Sequence, residues 1–388
     1  MGGADLERRR LLAALAAGGC GACLGGALSP TGALAQDART GPSLEAPRSE
    51  DVPARPARWY RKLDGLRVEC GLCPRRCRVA DLERGACGVR ENRGGEYFTL
   101  VHSRPCSLHL DPIEKKPFYH VLPGTSALSL AAVGCNLECR FCQNWEIAQA
   151  RPEQVPGFDL PPDRLAAIAT RYGAPTIACT YTEPVVWSEY VIDIAVAGRS
   201  AGLRTLLVSN GYLQEGPLDD LAAVLGAVKI DLKAFRDGFY RDQCRGERQP
   251  VLDTLRRLRK KGMWTEIVVL VIPGLNDSET EIHDLARFVK GDLGAAVPVH
   301  FTRFHPAYRL RNLPPTPVPT LERAREISMA EGLEFVYVGN VPGHPGDHTY
   351  CPGCKTVLIR RAGMTVLENR LVSGRCPGCR REIPGIWA

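Results

Sequence analysis

Three cysteines near the middle of the chain are spaced to hold metal. Residues Gly134 to Trp145 read GCNLECRFCQNW, which places Cys135, Cys139 and Cys142 in a C-x3-C-x2-C pattern with Phe141 just before the last. The preceding run LSLAAV, Leu128 to Val133, is a continuous apolar stretch of the buried-strand type. The thiols therefore leave the end of a strand. Three thiolates this close can hold three irons of a [4Fe–4S] cluster and leave the fourth iron open to an outside ligand. A zinc knuckle would want a fourth ligand, and no other cysteine is adjacent. An ordinary electron-transfer cluster is the other reading of the triplet. Two further sets flank it. Cys70, Cys73, Cys77 and Cys87 lie within eighteen residues, and Cys-x2-Cys-Pro is a tight turn whose amides can point at sulfur. That set is complete for zinc or for [4Fe–4S], and the spacing admits both. Cys351-Pro-Gly-Cys354 and Cys376-Pro-Gly-Cys379 are separated by 21 residues carrying VLIRR and TVLENR, two short strands. Two such knuckles joined by a hairpin are expected to bind zinc rather than iron.

The elements that must position these residues are legible as an alternation. Apolar runs recur at 128–133, 176–181, 204–209, 227–232, 266–272, 297–304 and 334–339, and amphipathic helical patterns separate them. Near-continuous apolar strands followed by helices mean an α/β fold with a parallel sheet. Six or seven units predict a partial (β/α)6-type barrel, with an open doubly wound sheet as the alternative. In such barrels chemistry collects at the C-terminal strand ends. There the sequence places the cysteine triplet, Tyr181-Thr182-Glu183-Pro184, Ser209-Asn210-Gly211, Asp231 with Lys233, Asn276, Arg303 with His305, and Asn340. One such turn means little, because Asn-Gly is an ordinary turn dipeptide; their common edge is the stronger signal.

These stretches resemble the signature of radical S-adenosylmethionine (SAM) enzymes. The resemblance covers about residues 58 to 388 and is similar to pyruvate formate-lyase activating enzyme, within the radical SAM subgroup of the AmmeMemoRadiSam system. It implies that Cys135, Cys139 and Cys142 hold a [4Fe–4S] cluster whose open iron binds the SAM amino and carboxylate groups, with Phe141 near the adenine. Thr182 and Glu183 match the element that holds the SAM amino group, although Tyr181 and Thr182 stand where the family has glycines. Ser209 and Asn210 match the turn near the SAM ribose and carboxylate. Asp231 and Lys233 match an Asp-x-Lys strand of glycyl-radical activating enzymes and are the expected catalytic and cofactor-binding pair; an ion pair between strands is the bland reading of the same two residues. Val208 stands where those activases often carry an acidic residue for a monovalent cation. The resemblance further implies reductive cleavage of SAM to a 5′-deoxyadenosyl radical that abstracts hydrogen. It also implies an electron donor of the flavodoxin or ferredoxin type, and a protein partner or peptide as substrate. A glycyl-radical enzyme activase proper, and a multi-cluster electron-transfer protein without SAM chemistry, are the competing functions.

Composition bounds the rest. The chain has 388 residues, is 44% apolar and 24% charged, and carries a net charge of +7 from scattered Lys and Arg. No basic helix or aromatic–basic patch asks for nucleic acid. Eleven of the sixteen cysteines fall in the three clusters, so metal rather than a disulfide scaffold explains their number. Arg8-Arg9-Arg10, the apolar run after them and Ala33-Leu34-Ala35 have the layout of a twin-arginine signal over residues 1–35, which predicts export to the periplasm; without a working signal the protein stays in the cytoplasm. A linker is expected over 36–57, a four-cysteine module with a lead-in segment over 58–124, the barrel over 125–345, and a zinc-ribbon-like module over 346–388. No transmembrane segment is expected in the mature chain. The lead-in DPIEKKPFYH places Asp111, Glu114, Lys115, Lys116 and His120 in one Pro-rich stretch. Lys115, Lys116 and His120 are expected near the barrel mouth.

Overall fold

A computed structural model describes residues 52–388. The expected export signal and most of the expected linker lie outside the described residues. The end of that linker stretch, Arg55–Pro56, forms β1. It joins β6 (Glu96–Thr99) and β5 (Arg90–Arg93) in one antiparallel sheet, while β2 (Tyr60–Lys62), β3 (Val68–Cys70) and β4 (Arg78–Val79) form a second. Cys70 ends β3, Cys73 and Cys77 sit on the turn to β4, and Cys87 precedes β5.

The main sheet has eight strands. They are β7 (Ser107–Pro112), β8 (Ser126–Ala131), β9 (Thr176–Cys179), β10 (Arg204–Ser209), β11 (Ala227–Asp231), β12 (Thr265–Val271), β13 (Val299–Arg303) and β14 (Val336–Gly339), hydrogen-bonded in chain order. Strands β8 to β14 are parallel, and β7 runs antiparallel on the β8 edge. Every crossover steps one strand in the same direction, so the order never reverses and there is no doubly wound switch point. Six strand–helix units plus a seventh parallel strand result. Strands β7 and β14 do not pair with each other, so the barrel stays open.

Local sequence explains the covering helices. Helix Gln249–Lys260 buries Val251, Leu252, Leu255 and Leu258 at helical spacing and turns Arg256, Arg259 and Lys260 outward. Each buried leucine contributes about 1.5–3 kcal/mol. Ser278 caps helix Glu279–Phe288 by accepting the Glu281 amide. Among the described residues no helix is long and apolar enough to cross a membrane.

The N-terminal end of the barrel is closed from below by the chain's last module, β15 (Thr349–Tyr350), β16 (Val357–Ala362) and β17 (Thr365–Asn369). Its seal is a buried polar network. Glu266, near the start of β12, accepts the Tyr119 and His120 amides at 3.0 and 2.9 Å and lies 2.8 Å from His300 Nε2. Arg361 of β16 is buried over the Tyr119 ring, donates to the Tyr119 carbonyl at 2.8 Å, and has Glu114 3.7 Å away. His120 stacks on Trp264 and lies against Phe335 and Trp387. Trp264, Glu266, His300 and Phe335 sit at or just before the N-terminal ends of β12, β13 and β14. The expectation that His120 lines the mouth is therefore corrected: it lies at the opposite end, because the C-terminal module offers it a buried place. The Pro384 carbonyl, 2.7 Å from Nδ1, fixes the proton there and leaves Nε2 to accept from the Tyr337 hydroxyl at 2.6 Å.

A pH dependence follows. Burial pushes the His120 imidazole down to about 4, although Glu266 nearby pulls the other way. Between its ordinary value and 4 the unfolded chain takes up a proton that the folded chain refuses, so stability falls as pH drops. At the limit this amounts to about 3 kcal/mol. Urea unfolding at pH 7 and pH 5 should show the parent protein losing more stability on acidification than His120→Asn, against the opposite contribution of carboxyls raised by burial such as Glu183. An equal change in the two proteins would contradict the assignment.

Candidate active site

The C-terminal strand ends carry the expected residues and bring them together. The cysteine loop leaves β8 through Gly134, whose φ of 100° lies in the left-handed region. A Cβ there would come within 2.6 Å of Val89 and 2.9 Å of the Cys87 carbonyl, so only glycine lets the loop start here. Cys139 is buried, and Cys135 and Cys142 are half-buried. Phe141 is buried with its ring 5.7 Å from that of Phe239.

Glu183, after β9, is the hub. Its Oε1 accepts Ser209 Oγ at 2.7 Å and the Val185 amide at 3.0 Å, and its Oε2 accepts the Asn210 amide at 2.7 Å. A carboxylate has about four acceptor positions, so this hub retains capacity for one more donor. Burial raises its carboxyl to about 7, against those three bonds and the nearby Lys233. Asn210 extends the chain of contacts: its Nδ2 donates to Asn136 Oδ1 at 2.8 Å and lies 3.9 Å from the Cys135 sulfur. Asn136 in turn donates to the Tyr212 carbonyl at 2.7 Å. The β9, β10 and cysteine-loop elements are thus tied into one rim.

Thr182 donates to the Ala132 carbonyl at 2.6 Å, so its hydroxyl is spent on joining β8 to β9. Tyr181 adopts φ 67°, the left-handed conformation that glycine would take at no steric cost. Its hydroxyl donates to Asp111 and accepts from Lys116 Nζ at 3.0 Å. Lys116 is buried and paired with Asp111 at 2.6 Å, and burial brings its ammonium down to about 8 despite that partner. Lys115 reaches the other Asp111 oxygen at 2.9 Å from a more exposed position. Val208 packs with Ala178 and Ala227 and pairs in register with Lys229 of β11, an ammonium rather than the acidic residue a monovalent cation would want.

Asp231 is paired with residues of its own stretch of chain rather than with a neighbouring strand. Lys229 and Lys233 bracket it, Lys233 Nζ at 2.9 Å. Burial would raise its carboxyl, but the two ammonium groups win and hold it well below the usual range. Lys233 also feels Cys139, which places this pair beside the cysteine loop. Asn276 is fully used inside the fold, accepting the Ile272 amide and donating to the Lys233 and Leu270 carbonyls. His305 is exposed.

Comparison with known proteins decides the family. The profile of the radical SAM superfamily matches residues 130–286, the stretch from the end of β8 into helix Glu279–Phe288. An uncharacterized protein of Methanocaldococcus jannaschii, MJ0808, is 41% identical over 331 residues, which is 85% of this chain and 98% of that protein. The chain belongs to the radical SAM superfamily. More distantly, the pyruvate formate-lyase-activating enzyme of Clostridium pasteurianum is 24% identical over 160 residues, 40% of this chain and 66% of that one. Streptococcus suis SuiB, solved with S-adenosylmethionine bound, superposes with a TM-score of 0.44 at 13% identity, over 59% of this chain and 53% of that one.

Radical SAM membership implies a [4Fe–4S] cluster and SAM, and the donor set fits them. Three thiols of one loop lie at the rim as electrostatic neighbours, and a buried acceptor with spare capacity stands at Glu183. Two residues of this radical SAM core escaped the sequence reading. Cys244, buried, hydrogen-bonds the Cys139 sulfur, and its carbonyl accepts the Glu138 amide at 2.9 Å. Nothing in its polar surroundings, YRDQCRGE, signals that position. Lys229 was legible only as part of a strand; its spacing of two from Asp231 and four from Lys233 was the available clue.

The four C-terminal cysteines form a metal-binding set. The sulfurs of Cys351, Cys354, Cys376 and Cys379 all lie within 4.8 Å of one another, with two pairs at 3.5 Å.

Proposed function

We propose that this radical SAM enzyme binds SAM over the Cys135, Cys139 and Cys142 cluster and abstracts hydrogen from a substrate presented by a protein partner, in the manner of the AmmeMemoRadiSam subgroup. The observation that carries the reading is the continuous hydrogen-bonded rim from Glu183 through Ser209 and Asn210 to Asn136, ending 3.9 Å from the Cys135 sulfur. A cluster held by Cys135, Cys139 and Cys142 would supply the one-electron reduction that cleaves a carbon–sulfur bond of SAM, and with it the capacity to abstract hydrogen. The chain's own residues do the positioning. Glu183 offers its remaining acceptor position to the SAM ammonium. Phe141 offers an apolar wall to the adenine. Lys233 and Asp231 set a charged floor beside the cysteine loop, and the packed rim excludes water. The unpaired edges of β7 and β14 leave the barrel open enough for a polypeptide segment to enter. A flavodoxin- or ferredoxin-type protein supplies the electron.

Anaerobic reconstitution with iron and sulfide, followed by dithionite and SAM, should yield 5′-deoxyadenosine. A reconstituted protein that leaves SAM intact would refute the reading. Val208 argues against a glycyl-radical activase proper, and incubation with a candidate glycyl-radical enzyme should give no stable glycyl signal in electron paramagnetic resonance.

The C-terminal quartet is read as a zinc ribbon. A tetrahedral zinc with Zn–S of about 2.3 Å draws its sulfurs to about 3.8 Å, close to the observed pairs. Metal binding here is folding energy for the module. Chelator treatment of the full chain should release one zinc and lower its thermal midpoint, because Arg361 then loses its frame. Zinc release without any change in the midpoint would count against this.

A further inference from the structure

One cluster of reactive side chains lies outside the site just described. Cys70, Cys73, Cys77 and Cys87 are free thiols, two buried and two half-buried. Each receives a backbone amide: Leu72 on Cys70, Arg75 on Cys73, Ala86 on Cys77 at 3.4 Å, and Val89 on Cys87. Amides converging on sulfur stabilise thiolates that share a positive centre.

A second observation points to a ligand. The hydroxyl of Tyr97, a residue only 1% exposed, has no oxygen or nitrogen partner and is left with the Cys70 thiol. It lies 2.8 Å from the point where a Cβ on Gly85 would stand, and the Cys77 sulfur lies 3.7 Å from that point. Cys70, Cys77 and Cys87 are its electrostatic neighbours, and the Arg90 guanidinium lies 5.6 Å from its ring. A neutral thiol is a weak acceptor, so this buried phenol still lacks a strong acceptor. A metal-bound thiolate or a bridging sulfide would supply the acceptor.

Spacing indicates which metal. The C-terminal cysteines are gathered as a single ion gathers them. Among the described residues they are the one such group of three or more ligand side chains whose atoms all lie within 4.8 Å. The Cys70 quartet is more widely spread, and so is the Cys135 triplet. A polynuclear cluster spreads its thiolates because each one holds a different iron.

Position indicates a role. The Cys87 carbonyl packs directly on Gly134, the residue before Cys135. Arg75, between Cys73 and Cys77, donates to the Asn136 carbonyl at 2.5 Å. The Leu72 carbonyl accepts the Gln214 amide at 3.0 Å, just beyond the Ser209-Asn210-Gly211 turn. The two cysteine loops share backbone contacts.

We propose that Cys70, Cys73, Cys77 and Cys87 hold a second [4Fe–4S] cluster that passes electrons to the one at Cys135, Cys139 and Cys142. The electron-passing half rests on the radical SAM reading above, whereas the cluster itself does not. A protein one-electron donor reduces the second cluster, and the electron then moves on, returning that cluster to its oxidised form. No bond is made or broken in the transfer.

The test starts with the full chain carrying Cys135→Ala, Cys139→Ala and Cys142→Ala, reconstituted anaerobically with iron and sulfide. It should hold about four irons and four sulfides and, with dithionite, give a paramagnetic signal that SAM does not alter. Zinc rising to two per chain with no iron or sulfide would overturn the proposal whether or not the parent protein cleaves SAM. Tyr97→Phe provides a variant that keeps all four thiols. It should retain the iron and shift the second cluster to a lower reduction potential, because a hydrogen bond to sulfur is lost; an unchanged potential would count against the placement. In the fully reduced parent protein the two signals should broaden one another, and that broadening should vanish in the triple alanine variant. Two unperturbed signals would overturn the transfer.

Discussion

Cys139→Ser abolishes 5′-deoxyadenosine formation, by a factor of more than about 1,000 relative to the parent protein. The expectation rests on ligand count. Three thiolates are the minimum that holds a cubane while leaving one iron for SAM, and a serine hydroxyl is a poor thiolate substitute for iron. Cys139 is the most buried of the three, so no outside thiol can reach its place. Cys244 is the internal complication, since its sulfur already meets that of Cys139. Pairing Cys139→Ser with Cys244→Ala separates replacement by the neighbour from true independence. Near-parental yield from the double variant would remove Cys139 from the ligand set. The zinc content should stay at the parental level in both variants, because the C-terminal quartet lies at the other end of the barrel.

The second large effect falls on SAM affinity through Glu183. Glu183→Gln keeps one carbonyl oxygen, which can take the Asn210 amide, while its NH2 group faces the Ser209 hydroxyl, able to accept from it, and the Val185 amide, and the negative charge is gone. A hydrogen bond to a charged group contributes about 1.5–3 kcal/mol, so SAM should bind roughly 10- to 100-fold more weakly, with the iron–sulfur absorbance intact. Glu183→Ala goes further. It leaves three donors, from Val185, Ser209 and Asn210, without an acceptor in a buried place. Each costs about 1–3 kcal/mol, so this variant should lose stability as well as affinity. Equilibrium binding of SAM and urea unfolding on both variants distinguish the two effects. Parental affinity in the glutamine variant would show that Glu183 only braces the rim.

Much of this was legible in the chain because the relevant signals are local. A continuous apolar run followed by a polar turn marks a buried strand and its end, and seven such runs place Cys135, Glu183, Asn210 and Asp231 on one edge before any coordinate is seen. What escaped depends on contacts between residues far apart in sequence. His120 is polar and sits among lysines, so it reads as solvent-facing. Its burial is set by Trp264, Tyr337 and Pro384, residues more than 140 positions away. Glu266 looks like an ordinary charged residue at the start of a strand, and only the fold shows that two amides and an imidazole converge on it. Asp231 was open to reading as half of a pair between strands; its partners turn out to be two residues away on either side, one on β11 and one just past its end.

The seal at the base of the barrel also sets an order in time. The amide of Ile386 donates to the His120 carbonyl at 2.7 Å, and the His120 ring is held by the Pro384 carbonyl. A ribosome therefore releases nearly the whole barrel before the residues that cap it exist. Until then Phe118, Val121, Ala178 and Leu206 face an unfinished interior. Contacts spanning so many residues are slow to form, and a half-made barrel with open edges is prone to aggregate. Synthesis rate and chaperone supply, rather than cofactor supply alone, are expected to govern how much of the protein reaches its finished form in a cell.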